Sequence, residues 1–134
     1  TRMLGKGALA GGMPLYKYIS NRMLTGVENL LLSREFSEYH TGFRAYSRAA
    51  LEKIPFLQNS DDFLFDNQLL VQAVYLGMEI GELSCPAYYH PEASSISAKR
   101  AFLYGVSVLG AALGYHTARS GLYTPDFLKG FIQR

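Results

Sequence analysis

The spacing of apolar residues along the chain predicts three long helices. The first follows Pro14, where apolar side chains recur at helical spacing: Leu15, Ile19, Met23, Val27, Leu30 and Leu31. The second is predicted over Phe63–Leu76, because Gly77 is a typical C-terminal stop. The third is the uncharged stretch Ala101–Tyr115, which is shorter than the ~20 residues needed to span a bilayer.

Two shorter segments have patterns typical of β-strands. Side chains alternate in character over Gly42–Ser47, as expected for a strand with two different faces. Met78–Cys85 is predicted to be a second strand, with these candidates for burial: Met78, Ile80 and Leu83. Pro86 ends this strand or places it at a sheet edge, and Ala87–His90 is a candidate for a further short strand. The order helix, strand, helix, strand, helix predicts an α/β fold.

Composition indicates a globular protein and excludes some partners. The 134 residues are 49% hydrophobic and 18% charged, which fits a single domain that buries a core. A net charge of +2 without a basic run gives no basis for nucleic-acid binding. Cys85 is the only cysteine, so an internal disulfide is excluded and a reducing, cytoplasmic compartment is expected.

The beginning of the chain resembles the interior of a longer polypeptide. The first residue is Thr1, and four glycines between positions 5 and 12 predict a mobile loop. Two or three strands also make a poor sheet on their own. We therefore expect that sequence preceding Thr1 completes the domain.

The segment Ser37–Arg48 has the greatest density of reactive groups. It contains an acid, an imidazole, two guanidinium groups and two phenols, and it is predicted to be a polar strand edge facing a pocket. Glu38 could act there as a general base. The alternative is an ion pair of Glu38 with Arg34 or Arg44, which spacing alone favours.

Other residues of this segment have two interpretations each. Arg44 and Arg48 carry planar forks suited to phosphate, whereas a structural ion pair with Glu38 or Asp62 would also satisfy Arg44. His40 could bind a metal or relay a proton, or serve as a hydrogen-bonding spacer. The neighbouring hydroxyl of Thr41 is a further candidate for substrate binding.

Polar residues elsewhere suggest further binding sites. Asp62 and Asp66 lie four residues apart and could hold a divalent ion, although acids at the start of a helix also complement its dipole. Gln68 is polar within the same apolar helix. Ser94 and Ser95 precede a helix and could receive a phosphate or serve as ordinary caps.

The stretch Ala101–Tyr115 and the tail after it allow two interpretations. The stretch is predicted to be a buried or amphipathic helix, and the alternative is a helix lying on a membrane surface. The tail carries four apolar residues among its charges, so it could cap the fold or lie on lipid.

Several blocks in order along the chain resemble family 2 glycosyltransferases, in the branch near dolichyl-phosphate mannosyl- and glucosyltransferases. The resemblance runs from Thr1 to about Tyr123, and the run Thr-Gly-Phe-Arg-Ala-Tyr is its most specific block. The blocks are Arg2–Gly5, Gly11–Pro14, Asn29–Leu31, Ser37–Arg48, Asp62–Gln68, Gly81–Pro86 and Glu92–Ile96.

This resemblance implies the C-terminal, acceptor-side part of a GT-A domain, a Rossmann-like α/β sandwich. Such an enzyme transfers a sugar from a nucleotide-diphosphate donor to a polyprenyl phosphate or glycan acceptor. The transfer inverts the configuration at the anomeric carbon. A divalent metal, Mg²⁺ or Mn²⁺, assists in the family and is held by an Asp-X-Asp motif. The sequence contains no such motif, so the metal is expected only with a preceding N-terminal half.

The resemblance also suggests roles for individual residues. Glu38 falls where relatives have an acid, and Arg44 falls on the family arginine that faces a phosphate. Gln68 stands where many relatives have Glu. Ser94 and Ser95 match a loop that closes near the donor phosphates in relatives. Just before that loop, His90 is a candidate for a metal contact.

We therefore expect one partial catalytic domain over residues 1–134, with residues 99–134 as its C-terminal helix and tail. The expected partners are a nucleotide-diphosphate sugar and its acceptor, with peripheral membrane contact and homo-oligomer formation also considered. The expected location is the cytoplasm, at the inner face of a membrane. The alternative function is a non-catalytic module that docks to a membrane or to a partner.

Overall fold

Helices make up all of the regular secondary structure in the part of the chain that the structure describes. The structure is a computed structural model, and it describes residues 1–89 and 97–131. The α-helices are α1 (Gly7–Ala10), α2 (Leu15–Leu32), α3 (Arg48–Leu51), α4 (Phe65–Tyr75), α5 (Ala98–Arg119) and α6 (Asp126–Lys129). Short 3-10 turns occupy Leu4–Lys6 and Phe56–Gln58.

The three long helices predicted from the sequence are confirmed. Helix α2 begins directly after Pro14 and ends at Ser33, which adopts the left-handed conformation with φ of 52°. Gly77 has φ of 67° just beyond α4, as expected for a C-terminal glycine stop. Helix α5 is longer than predicted, because Ser97 caps it by accepting a hydrogen bond from the backbone N–H of Arg100.

The predicted α/β fold is wrong for this chain. Gly42–Ser47 and Met78–Cys85 have no assigned secondary structure, and no strand occurs anywhere in residues 1–89 or 97–131. A strand needs a second backbone within hydrogen-bonding distance. These two segments instead line a common open cleft, so alternation of side chains alone did not produce a sheet. The short strand predicted from residue 87 is likewise absent from its described part, residues 87–89.

Burial in the second of these segments matches the prediction only in part. Met78 and Ile80 are half-buried and pack against the cluster formed by Ile54, Leu69 and Ala73. Leu83 was expected to be buried but is 85% exposed, and it lines the cleft.

Helix α5 organises the main core by packing against both α2 and α4. The buried side chains of this core come from α2, α4, α5, α6 and the segment after α2: Leu32, Tyr39, Leu70, Val71, Val74, Ala111, Ala112, Tyr115, Phe127 and Leu128. Gln72 connects the loop before α4 and helix α6 to this core. It accepts a hydrogen bond from Asn59 at 3.0 Å and donates one to the carbonyl of Phe127 at 2.7 Å.

The N-terminal glycine-rich segment is a pair of short helical turns, not the predicted loop, and it is tied to residues 83–89. The amino group of Thr1 donates to the carbonyl of Leu83 at 2.7 Å, and the carbonyl of Thr1 accepts from Cys85 at 2.9 Å. The carbonyl of Gly11 accepts from Tyr89 at 2.8 Å. These contacts hold the chain's first residues beside the cleft.

Helix α2 has its polar side turned inward and its apolar side turned outward. Asn21, Thr25 and Glu28 are buried, whereas the predicted apolar stripe is largely exposed: Leu15, Ile19, Met23, Val27 and Leu30. Among the described residues, no helix has the length and apolar character required to cross a bilayer.

Two glycines test how closely the segments pack. A Cβ at Gly11 would lie 1.6 Å from the carbonyl oxygen of Ala87, whereas a Cβ at Gly26 in α2 would meet no atom within 4 Å. Gly11→Ala should therefore lower the free energy of unfolding by about 2 kcal/mol or more. Gly26→Ala should raise it by about 1 kcal/mol, because alanine is the better helix former. Urea denaturation of both variants measures the contrast, and equal changes would contradict this packing.

Candidate functional site

The carboxylate of Glu38 is buried and accepts hydrogen bonds at both oxygens. Oε1 accepts from two nitrogens of the Arg2 guanidinium and, at 3.0 Å, from the amide nitrogen of Asn21. Oε2 accepts from the backbone N–H of Arg2 at 2.9 Å and from the hydroxyl of Thr1 at 3.3 Å. Burial alone would raise the pKa of Glu38, but the hydrogen bonds and charge of Arg2 outweigh burial and lower it.

Arg2 extends this contact to two other segments. Its Nη1 donates to the hydroxyl of Tyr89 at 2.7 Å, and its Nη2 donates to the carbonyl of His40 at 3.1 Å. Glu38 does form an ion pair, but with Arg2 and not with the Arg34 or Arg44 considered from the sequence.

Arg44 holds the backbone of the segment around it. Its Nε donates to the carbonyl of Thr41 at 2.9 Å, and its two Nη atoms donate to the carbonyls of Asp66 and Tyr39. Within the described residues, Arg44 forms no ion pair with Glu38 or Asp62. The guanidinium therefore fixes the path of residues 39–44 against the start of α4.

The other candidates from the sequence lie in different surroundings. Arg48 is exposed and pairs with Glu52 at 2.7 Å on the surface of α3 and its C-terminal end. Asp66 is also exposed. Gln68 is buried, and its carbonyl oxygen accepts from the backbone N–H of Ser60 at 2.7 Å, so it shapes the loop before α4.

A second buried carboxyl, Glu28 of α2, lies against His40. Glu28 Oε2 and His40 Nε2 are 3.2 Å apart, and neither atom makes a hydrogen bond with other described residues. Glu28 Oε1 accepts from the amide of Asn67 at 2.6 Å. On the other side of the imidazole, Nδ1 lies 3.4 Å from the hydroxyl of Tyr104. This cluster joins α2, α4 and α5 to the segment that carries His40.

Burial favours the uncharged forms of both Glu28 and His40, so near pH 7 the proton between them lies on Glu28. Burial raises the pKa of Glu28 to about 8, against the opposing effects of the Asn67 hydrogen bond and the charge of Arg44. Burial lowers the pKa of His40 to about 4, helped by Arg44 and Arg2 and opposed by Glu38. A protonated Glu28 facing a neutral imidazole can donate to Nε2, which accounts for two buried atoms that otherwise lack partners.

A cleft of about 780 Å³ lies between residues 41–50 and 78–85. Three of the candidate residues line it: Glu38, Thr41 and Arg44. Lys53 and the exposed side chains of Phe43 and Leu83 line it as well. The structure thus brings the central sequence candidates to one concave surface, whereas His40 lies in the buried cluster and Arg48 lies on the surface of α3.

Three candidates fall outside the described residues: His90, Ser94 and Ser95. Among residues 1–89 and 97–131, no group of three or more His, Cys, Asp and Glu side chains is arranged to hold a metal ion. The residues described here therefore do not by themselves form the divalent-metal site implied by the resemblance.

Sequence reasoning missed the partners of the two carboxyls. Arg2 and Asn67 are 36 and 39 residues away from Glu38 and Glu28, so local spacing could not connect them. One signal was available on α2. Asn21, Thr25 and Glu28 are polar residues at i, i+4 and i+7, and they define a polar face opposite the apolar stripe.

Comparison with protein-family models finds no match, and no solved structure matches the chain.

Loss of the Glu38 charge tests the buried ion pair. Glu38→Gln should lower the free energy of unfolding by about 3 kcal/mol, because it leaves the half-buried guanidinium of Arg2 without its anion. Glu52→Gln breaks an ion pair whose side chains are 92% and 61% exposed, and should cost less than about 0.5 kcal/mol. Urea denaturation at neutral pH compares the two, and losses of similar size would contradict a structural function of Glu38.

The Glu28–His40 pair predicts a specific dependence of stability on pH. From pH 6.5 to 8 the folded chain keeps the proton of Glu28 that the unfolded chain has released, so stability falls as pH rises. Between pH 4.5 and 6.5 the opposite shift of His40 offsets this effect, and stability changes little. As the pH falls from 4.5 to about 4, stability decreases, because the unfolded histidine holds a proton that the folded one lacks.

The variant Glu28→Gln tests whether the carboxyl group of Glu28 causes this pH dependence of stability. Glutamine can accept from Asn67 and donate to His40, as the protonated acid does, so the variant should fold and lose the decline between pH 6.5 and 8. The wild-type decline should approach about 1.4 kcal/mol per pH unit, the value for one proton. Glu35→Gln, which changes an exposed acid, should keep the wild-type slope. Parallel wild-type and Glu28→Gln curves in urea denaturation would refute the shared proton.

Proposed function

We propose that this chain forms the acceptor side of an inverting family 2 glycosyltransferase that transfers a sugar from a nucleotide diphosphate to a polyprenyl phosphate. The ordered sequence blocks support the class of enzyme, and the cleft lined by Glu38, Thr41 and Arg44 supports the place of the acceptor. The choice of a phosphate acceptor over a hydroxyl comes from the state of Glu38.

Glu38 is poorly suited to remove a proton from an acceptor hydroxyl. Its oxygens already accept hydrogen bonds from Thr1, Arg2 and Asn21, and these donors lower the pKa of the carboxylate. A general base needs a free lone pair and a pKa near the working pH. A phosphate acceptor is anionic without a base. In this proposal Glu38 is a positioning residue that holds Thr1 and Arg2 beside the cleft.

Two cationic side chains of the cleft fit the phosphate. Arg44 uses three of its five N–H groups to bind backbone carbonyls, which leaves one N–H on each Nη atom. Lys53 lines the same cleft with an exposed side chain. Because the backbone contacts hold Arg44 in place, its remaining donors are oriented before the acceptor binds. The phosphate oxygen would then attack the anomeric carbon as the bond to the nucleotide diphosphate breaks.

We assign the nucleotide-sugar donor and its metal ion to a part of the enzyme outside the described residues. Among the described residues, no group of three or more His, Cys, Asp and Glu side chains could hold a metal ion. A divalent ion in this family stabilises the charge that develops on the departing diphosphate. In this proposal, residues that precede Thr1 hold the ion and the nucleotide.

Sugar transfer measured with the polypeptide that includes this preceding sequence tests the proposal. Arg44→Ala should lower kcat/KM for a polyprenyl phosphate at least about tenfold, because the phosphate loses its oriented donors. Glu38→Gln should lower turnover by a similar factor through displacement of Thr1 and Arg2. Arg48→Ala, which removes an exposed arginine on α3, should stay within about twofold of wild type and serves as the control.

The outcomes separate the parts of the proposal. Equal transfer to polyprenol and to polyprenyl phosphate would refute the phosphate acceptor. Wild-type turnover in folded Arg44→Ala and Glu38→Gln variants would refute the residue functions. Failure to bind GDP- or UDP-sugars with Mn²⁺ would favour the second candidate function, a non-catalytic docking module. The exposed apolar side chains of α2 and α5 support this second candidate.

A further inference from the structure

Three consecutive backbone carbonyls bind the guanidinium groups beside the cleft. The carbonyls of Tyr39 and Thr41 both accept from Arg44, the second of them from Nε at 2.9 Å. Between them, the carbonyl of His40 accepts from Nη2 of Arg2 at 3.1 Å. A guanidinium is a rigid planar fork, so the carbonyls that it binds decide where its remaining N–H groups point. These three residues, which we name the acceptor-side peptide, therefore orient Arg44.

Two adjacent residues of α2 hold side chains of the acceptor-side peptide. Oδ1 of Asn29 accepts from the hydroxyl of Tyr39 at 2.8 Å, and Tyr39 is fully buried. Oε2 of Glu28 lies 3.2 Å from Nε2 of His40, and these two side chains are 0% and 9% exposed. The peptide is thus attached to one long helix at two successive positions.

Helix α5 completes the surroundings of the His40 imidazole. The hydroxyl of Tyr104 lies 3.4 Å from Nδ1, and the two rings meet edge to face with their centroids 5.9 Å apart. Both ring nitrogens thus face side chains of the helical core, and His40 is not among the residues that line the cleft. An effect of His40 on a ligand in the cleft must therefore pass through the backbone to Arg44.

The buried pair of Glu28 and His40 is better suited to placing a segment than to stabilising the fold. Apolar side chains of similar size would contribute as much net stability or more, because no polar group would have to leave water. A buried polar pair, in contrast, is satisfied only when its two partners keep one arrangement. The pair therefore restricts the position of the backbone that carries His40.

We propose that Glu28, His40 and Tyr104 are positioning residues for the phosphate acceptor. By holding the acceptor-side peptide, they keep the two remaining Nη hydrogens of Arg44 directed at the phosphate. The inference rests on the proposed function, because that function supplies the phosphate.

The contacts of Arg44 explain why its orientation depends on this peptide. Two of the three carbonyls that bind Arg44 belong to the acceptor-side peptide, and the third belongs to the first turn of α4. Displacement of the peptide would leave the guanidinium with one backbone contact. Its donors would then no longer be oriented before the acceptor binds, and affinity for the phosphate would fall.

Steady-state sugar transfer at neutral pH, by the polypeptide that includes the preceding sequence, tests the inference. His40→Ala and Glu28→Ala should each raise KM for polyprenyl phosphate at least about fivefold, because the donors of Arg44 lose their orientation. KM for the nucleotide sugar should stay within about twofold of wild type, since Arg44 contacts only the acceptor in this proposal. Tyr104→Phe removes a single oxygen and should raise the acceptor KM at least about threefold. This mild variant keeps the comparison possible where an alanine variant does not fold.

Two control variants separate positioning from stability. Glu28→Gln can still donate to Nε2 of His40 and should keep the wild-type acceptor KM. Gln72→Ala removes a fully buried side chain that bonds Asn59 and Phe127 and lies outside the cleft lining. It should lower the free energy of unfolding and leave both KM values unchanged.

A second measurement, on the chain itself, does not depend on sugar transfer. In chain labelled with ¹⁵N-arginine, the Nε–H signal of Arg44 is assigned by its loss in Arg44→Lys. This hydrogen should exchange with solvent at least about tenfold faster in Glu28→Ala and Tyr104→Phe than in wild type, because its bond to the carbonyl of Thr41 opens more often. Glu28→Gln and Gln72→Ala should exchange like wild type.

The two measurements distinguish failure of this inference from failure of the proposed function. Wild-type acceptor KM in folded Glu28→Ala and Tyr104→Phe would overturn the inference and leave the transfer proposal intact. An equal rise in KM for both substrates, or the same rise in Gln72→Ala, would indicate a general loss of structure and would also overturn it. No transfer to polyprenyl phosphate by wild type, together with faster Arg44 exchange in the variants, would refute the phosphate acceptor and support the positioning of Arg44.

Discussion

The contact between Glu38 and Arg2 is the interaction on which the rest of the site depends. A buried carboxylate is tolerated only when its oxygens are satisfied, and Glu38 meets this condition with donors from two parts of the chain, the N-terminal residues and α2. The same contact fixes the N-terminal residues next to α2 and, through Arg2, next to Tyr89 and His40. Glu38 thus connects the N-terminal residues and α2 to the segment that carries it, beside the cleft.

The inverted polarity of α2 follows from the same requirement. Asn21 reaches Glu38, and Glu28 reaches both Asn67 and His40, so the inner side of the helix must be polar. A helix with a polar inner side has its apolar residues left for the outside. The polar inner side and the exposed apolar outer side of α2 are therefore two results of one arrangement of side chains.

The long helices were predictable because their signals are local. Apolar spacing and the stop at Gly77 are contained within single helices. The absence of strands was not predictable, since Gly42–Ser47 and Met78–Cys85 alternate correctly but form no ladder of backbone hydrogen bonds with a second extended segment in the described part of the chain. Glu38 and Arg44 could be chosen from the sequence by their chemistry. The partners of Glu38 and Arg44 could not be predicted. Glu38 pairs with a residue 36 positions away, and Arg44 donates to backbone carbonyls, which every residue has.

The unpaired backbone beside the cleft has a consequence for how stability is distributed. Within the described residues, the N–H groups of residues 79–84 donate no hydrogen bond, whereas those of α4 are bonded within their helix and lie largely in the core. Because these N–H groups lack acceptors, their amide hydrogens should exchange with solvent faster than those of α4. This wall of the cleft is therefore held by the Glu82 carboxylate, which accepts from Ser37, and by the Leu83 carbonyl, which accepts from Thr1, and not by its own amides.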